Sequence, residues 1–313
     1  MPPGPARIRR RHAPLLSCLG LALALLPAGW MLAADPPTAI VRIDDPLLDE
    51  SSGLARSQRR DDLLWTHNDS GGRAELYGVT RRGHHAVTLV LRGDRFGNID
   101  WEDVASFRHD GEPCLLIGDM GDNFALRDSL AFYLIREPAL GRLPAGRPVT
   151  HGVDVLRRYE VVYPDGARDA EALAVDGDED MAYVISKRDA LPRLYRFPLR
   201  ADQPQPVVME SLGLIDIPRA GPGYRGSRLR HDWVTAMDFD DSLSRAYVGT
   251  LTTGYFYDRR PGESWQQALS RPPRAVSLPN LPQIEGGSFA RHDRDSVHVI
   301  SEQLPAGLAR IRR

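Results

Sequence analysis

Eight carboxylates recur at the ends of short apolar runs: Glu50, Asp69, Glu102, Asp119, Asp122, Glu171, Glu285 and Glu302. Carboxylates brought to one place repel one another, so they need a cation, bound protons or Lys and Arg partners. Oxygen donors with few histidines or cysteines nearby suit a hard ion, Ca²⁺ rather than Zn²⁺. All eight are therefore candidate Ca²⁺ ligands. Two other uses stay open for them: pairing with Lys187 or arginines, and capping backbone N–H groups where strands begin. Lys187 is the only lysine in the chain, and it and His231 are the candidates to face substrate charge or move a proton.

The elements that would position these groups form a repeat. An acidic residue opens a short apolar strand, a turn follows, and two further strands come after it. The copies begin at Glu50, Glu102, Glu171, Thr235 and Glu285, about 50–70 residues apart, which is room for four strands each. Asp110-Gly111 and Asp176-Gly177 supply the turns that tight hairpins need. Fourth strands fall at 85–91 and 153–162. The last copy ends at its third strand, at the C-terminus, and an orphan strand at 39–43 precedes the first.

The pattern predicts an all-β chain: a β-propeller of five four-stranded blades, closed by the N-terminal strand completing the last blade. A sixth, degenerate blade has room in the two long intervals. Segments at about 138–152 and 216–230, rich in Pro, Gly and Arg, read as insertions on a propeller face. The start of each first strand and the end of each second strand share one mouth of the channel, which gathers the acidic residues there. The fourth copy breaks the pattern, with Thr235 in place of Glu and His231-Asp232-Trp233 beside it. Cys114 reads as a small core residue in a buried strand, and His84-His85 as solvated on a turn.

The N-terminus reads as a targeting segment. Arg7 to Arg11 form a basic stretch, 15–26 is almost wholly apolar, and Ala33-Ala34 precede Asp35. Residues 1–34 are thus either a cleaved signal peptide or an uncleaved membrane anchor, with 35–313 a single propeller. Either way the chain is exported, to the periplasm or beyond the cell, or held at the inner membrane facing the periplasm. The formal charge is −2 and no basic stripe runs along the chain, which argues against nucleic acid as a partner. Gly221-Pro222-Gly223-Tyr224-Arg225-Gly226 fits a dinucleotide fingerprint in letters alone, with no strand before it or helix after it. Asp176, Asp178 and Asp180 lack the Gly and Glu of a calcium-binding EF-hand loop and read as a turn.

Several of these motifs have a familiar order. Ser52-Gly53-Leu54-Ala55, Trp65-Thr66-His67-Asn68-Asp69-Ser70-Gly71-Gly72, Asp100-Trp101-Glu102-Asp103-Val104-Ala105, Gly118-Asp119-Met120-Gly121-Asp122-Asn123 and Asp169-Ala170-Glu171-Ala172-Leu173 resemble those of secreted bacterial propellers. Pro282-Gln283-Ile284-Glu285-Gly286, followed by Ile300-Ser301-Glu302, is similar to the SdiA-regulated propellers and the phytase-like, esterase-like propellers. The resemblance implies a propeller fold, export and calcium binding, and little about substrate. Two functions then compete. One is a cell-envelope binding or scaffold protein whose partner is a small molecule or an envelope protein. The other is a calcium-dependent hydrolase of phosphoesters, esters or lactones.

Overall fold

The computed structural model describes residues 1, 4 and 39–313, apart from 94–96, 145, 190, 201, 203, 216 and 219–232. Apart from Met1 and Gly4, residues 1–34, which the sequence reads as a targeting segment, lie outside the described residues, as do His231 and most of the 216–230 segment.

Short apolar runs punctuated by Gly and Asp fold as expected, into antiparallel four-strand meanders. The chain opens with β1 (Ile40–Ile43). Blade one is β2 (Ser51–Arg56), β3 (Leu63–Asn68), β4 (Glu75–Thr80) and β5 (His85–Arg92). Blade two is β6 (Trp101–His109), β7 (Glu112–Asp119), β8 (Leu130–Arg136) and β9 (Val149–Val162). Blade three is β10 (Ala170–Asp176), β11 (Met181–Ser186) and β12 (Arg193–Pro198), then a two-residue strand β13 (Val207–Val208) that lies against β9, and its own outer strand β14 (Glu210–Leu214). Blade four is β15 (Val234–Phe239), β16 (Arg245–Thr250), β17 (Thr253–Asp258) and, after a short helix α1 (Trp265–Leu269), β18 (Arg274–Ser277). Blade five is β19 (Ile284–Ala290), β20 (Asp293–Ser301) and β21 (Ala306–Arg312). Strand β1 pairs antiparallel with β21, Ile40 opposite Ala309 through Ile43 opposite Ala306. The fold is a β-propeller, with five blades among the described residues and the N-terminal strand completing the fifth.

The core lies between blades. Five hydrophobic clusters fill the five interfaces: blades one and two, two and three, three and four, four and five, and five and one. Each Leu or Phe so buried contributes about 1.5–3 kcal/mol. Phe132 and Phe197 meet at 4.7 Å between blades two and three. Trp265 of α1 stacks on Phe239 at 3.8 Å, so the helix lids blade four. Ser264 and Gln267 close a capping box that starts this helix.

The hairpin Asp110-Gly111 takes φ of 48° and 77°, the left-handed pair a two-residue turn requires, and Cys114 is buried in β7 as expected. Asp176 accepts from the backbone of Asp178 and Glu179, which makes that segment a turn. Two expectations need correction. The segment 138–152 is a loop only as far as β9, whose first residues pair in parallel with β5, Val87 opposite Val149 through Arg92 opposite Asp154. The later part of β9 pairs with β8, so one 14-residue strand joins blades one and two. His85 is buried, its Nδ1 2.7 Å from Asp45 and its Nε2 3.0 Å from Thr88 Oγ1, because β5 begins there and turns it inward.

Candidate metal centre at the acidic mouth

Every first strand carries a register shift near its start. The residue skipped by the ladder is Glu102 in β6, Glu171 in β10, Thr235 in β15 and Glu285 in β19. In β2 the shift falls between Ser52 and Ala55. A bulge re-aims the skipped side chain, which is how three glutamates come to the mouth from regular antiparallel strands. The hydroxyls at the other two places tie blades together: Ser52 Oγ donates to the Glu102 carbonyl and Thr235 Oγ1 to the Ile284 carbonyl, both at 2.8 Å.

A second set comes from the residues that follow strand two. Their backbone N–H groups bond to the residues that lead into strand one of the same blade: Asp69 to the Glu50 carbonyl at 2.9 Å, Met120 to Asp100 at 3.1 Å, Lys187 to Asp169 at 3.0 Å and Glu302 to Gln283 at 2.9 Å. This ladder fixes the equivalences. Asp69, Lys187 and Glu302 share one level. Glu50 is level with Asp100 and Asp169, two residues before the glutamate position.

Three overlapping groups of carboxylates result, the ligand atoms of each within 4.8 Å of one another: Asp69 with Glu285 and Glu302, Asp69 with Asp100 and Glu102, and Glu102 with Asp169 and Glu171. Asp69 and Glu102 are shared, so the carboxylates run from blade five through blades one and two to blade three. Of the eight predicted ligands, Asp69, Glu102, Glu171, Glu285 and Glu302 come together here. Asp100 and Asp169 join them; only their neighbours Glu102 and Glu171 were marked as ligands by the sequence pattern. Glu50 is exposed and outside the three groups.

Asp119 and Asp122 are buried with other partners. Asp119 pairs with Arg127 at 2.9 Å and accepts from the Tyr133 hydroxyl at 3.3 Å. Asp122 accepts from the backbone of Leu126 and Arg127, both at 2.8 Å, and so closes its own loop. Asp119 thus serves both other uses, pairing with an arginine and accepting from the Asp100 N–H at 3.2 Å just before β6, whereas Asp122 caps a loop rather than a strand start.

Seven carboxylates thus face few cations. Lys187 pairs with Glu171, and Arg188 reaches Asp169 at 2.5 Å. Both lie over the Trp233 ring of blade four, at 5.4 and 4.3 Å from its centre. Burial, then Glu285, raises Asp69 to about 6; burial, then Asp69 and Asp169, raises Asp100 to about 6. Burial, then Glu285 and Asp69, pushes Glu302 up to about 8, and burial also raises Glu102 and Glu285. Glu171 Oε2 is buried without a hydrogen-bond partner. Gly121 makes room for the cluster, since a Cβ there would run into Glu102 Oε1 and Asp100 Oδ2. Gly53, at φ +67°, does the same for His67: a Cβ would sit 2.7 Å from its Nε2. His67 is buried edge-on to Trp101, and desolvation lowers it to about 4, so it is neutral beneath the mouth.

The donor set is all oxygen, buried and short of positive charge. Such a set could hold a metal ion through several carboxylates at once.

No family model and no curated protein matches the chain. Among solved structures, the chain is similar to one in the crystal structure of a nidogen/laminin complex, with 10% identity, a TM-score of 0.42, and 80% of this chain and 72% of that one covered. It is also similar to the PQQ-bound aldose sugar dehydrogenase from Streptomyces coelicolor, with 10% identity, a TM-score of 0.43, and 88% of this chain and 99% of that one covered. The fold assignment stands on the chain's own sheets.

Proposed function

We propose that the chain is an exported, cation-loaded propeller that acts as a binding or scaffold protein of the cell envelope, with Ca²⁺ at its acidic mouth. The observation that carries this reading is the run of seven carboxylates, five of them (Asp69, Asp100, Glu102, Glu285 and Glu302) pushed above the ordinary carboxylate range, against which the described residues set few cations, chiefly Lys187 and Arg188 with Arg127 beside Asp100. Asp69, Glu102, Glu171, Glu285 and Glu302 would hold the ion, with Asp100 and Asp169 beside them. Bound Ca²⁺ would replace the protons that burial favours on Asp69, Asp100, Glu102, Glu285 and Glu302. The basic and apolar stretches of residues 1–34 support export, and the motif likeness to SdiA-regulated and phytase-like propellers supports calcium.

A second reading draws on Lys187 and Arg188. Cations set over an aromatic ring, beside the carboxylates that would hold a metal, suit an anionic substrate, as a calcium-dependent hydrolase of phosphoesters, esters or lactones would need. The mouth lacks an assembled nucleophile and base among the described residues, which favours binding.

Calorimetric titration of the EDTA-stripped protein with Ca²⁺ tests the metal. Saturable binding that is lost in a folded Glu102→Gln, Glu171→Gln double variant supports it. Absence of binding in the parent protein overturns it. Calcium-dependent turnover of p-nitrophenyl esters or phosphates would shift the reading to the hydrolase.

A further inference from the structure

The face opposite the acidic mouth carries the hairpins that link first to second strands and third to fourth strands. There a cavity of about 160 Å³ opens between blades one and five, over Leu63 and Leu64. Arg56, Arg291 and His292 also line a depression of about 270 Å³ at the lower end of the channel, so the two adjoin.

The smaller cavity is cationic. Four guanidinium groups line it, those of Arg56, Arg60, Arg81 and Arg291, against one carboxylate, Asp61. Arg56 is engaged with Asp238 and Asp241, at 2.6 and 2.8 Å. Arg60 turns to Asp62 at 3.1 Å. Arg291 meets Asp61 at 2.8 Å, and that carboxylate is 65% exposed and loosely held. The Arg81 guanidinium has no acidic partner among the described residues. Beneath lies His298 of β20, 5% exposed, with Nδ1 lacking any hydrogen-bond partner. Burial, then Arg310 and Arg81, lowers its pKa to about 4. The imidazole is therefore neutral at pH 7 and can offer an N–H without adding charge.

A buried polar nitrogen left unpaired is costly, and at the rim the exposed Arg81 guanidinium has no counter-charge while Arg291 shares one with solvent. A tetrahedral oxyanion meets both needs, because planar guanidinium forks match its oxygens and an N–H can complete the shell. We infer that this cleft is a binding site for a phosphate-class anion, held by Arg81 and Arg291 above His298. The smaller cavity takes the phosphate, and the adjoining depression has room for the organic part of a phosphomonoester.

The test is calorimetry of the full chain at low salt in EDTA, which leaves the acidic mouth without a divalent ion and makes the outcome independent of it. Inorganic phosphate should saturate one site. Arg81→Ala should weaken binding about ten-fold or more, the loss of one charged hydrogen-bonding group. Arg82→Ala, an exposed neighbour outside the cleft, should leave it unchanged. Arg291→Ala should repeat the loss. Tighter binding of glycerol phosphate than of inorganic phosphate identifies a phosphomonoester as the ligand, whereas equal binding identifies free phosphate. No saturation by either anion, or equal weakening by Arg81→Ala and Arg82→Ala, overturns the inference.

Discussion

The two ends of the propeller channel bury charge in opposite ways. At the lower end Arg56 of blade one reaches Asp238 and Asp241 of blade four and donates to the Phe239 carbonyl at 3.0 Å. Asp238 also accepts from Ser288 Oγ at 3.0 Å and the Phe289 N–H at 2.8 Å of blade five. Each buried charge there meets a partner from another blade, so the cluster serves as a tie among three blades. At the upper end blades five, one, two and three all bring carboxylates, and among the described residues few cations answer them: Lys187 and Arg188 of blade three, with Arg127 of blade two near Asp100. Matched charge ties blades together, whereas the carboxylates at the upper end outnumber the cations that face them, and that imbalance is what the proposed cation would answer.

The largest effect should come from breaking the matched end. Arg56→Met leaves the Asp238 carboxylate buried without its counter-ion and should cost about 3–5 kcal/mol in urea unfolding. Calcium should not restore it. Full recovery by calcium would mean that the two ends are not independent.

The second effect is on pH dependence and separates the ends without a mutation. Asp69 and Asp100, at about 6, and Glu302, at about 8, lie above their unfolded values. Their contribution to stability is complete below the unfolded values, near pH 4, and is lost as pH rises through the folded ones. The melting temperature in EDTA should therefore fall between pH 4 and 8, and saturating Ca²⁺ should flatten the fall. A profile that is flat without the ion would show the carboxylates to be neutralised already.

The smallest change in stability should come from Gly121→Ala. The added Cβ displaces the carboxylates of Glu102 and Asp100, which are ends of flexible side chains and can move. Stability should change by under about 1 kcal/mol, while Ca²⁺ affinity falls about ten-fold or more, read by calorimetry.

These contrasts were unevenly legible in the sequence. Blade interiors such as Leu115-Leu116-Ile117 and Ala182-Tyr183-Val184-Ile185 announced themselves, because inner strands are buried on both faces. The outer strands β14 and β18 did not: both are mostly exposed, and no apolar pattern marks them. The parallel pairing of β5 with β9 joins segments about sixty residues apart in sequence, and no local signal carries it. At the site, the glutamates were visible by their periodicity. Asp119 looks like Asp69 in sequence, since each lies at the end of a second strand. It faces Arg127 rather than the mouth because it is one residue earlier in the register. Period two makes that single step a change of face. The bulges that aim Glu102, Glu171 and Glu285 left one faint sign, a small residue in every first strand close after the bulge.

The pairing of β1 with β21 also sets an order of events. Blade five takes its outermost strand from residues made near the start of synthesis and the other three from the last thirty or so. The strand made early must wait, unpaired, until the final one exists. Closure is thus the latest and most non-local step of folding, and a slow one. Until then the ring is open and the two edges that will meet are exposed to other chains. The seam where the fifth blade meets the first is also where Asp69 gathers with Glu285 and Glu302, so closure of the ring completes the last of the acidic groups.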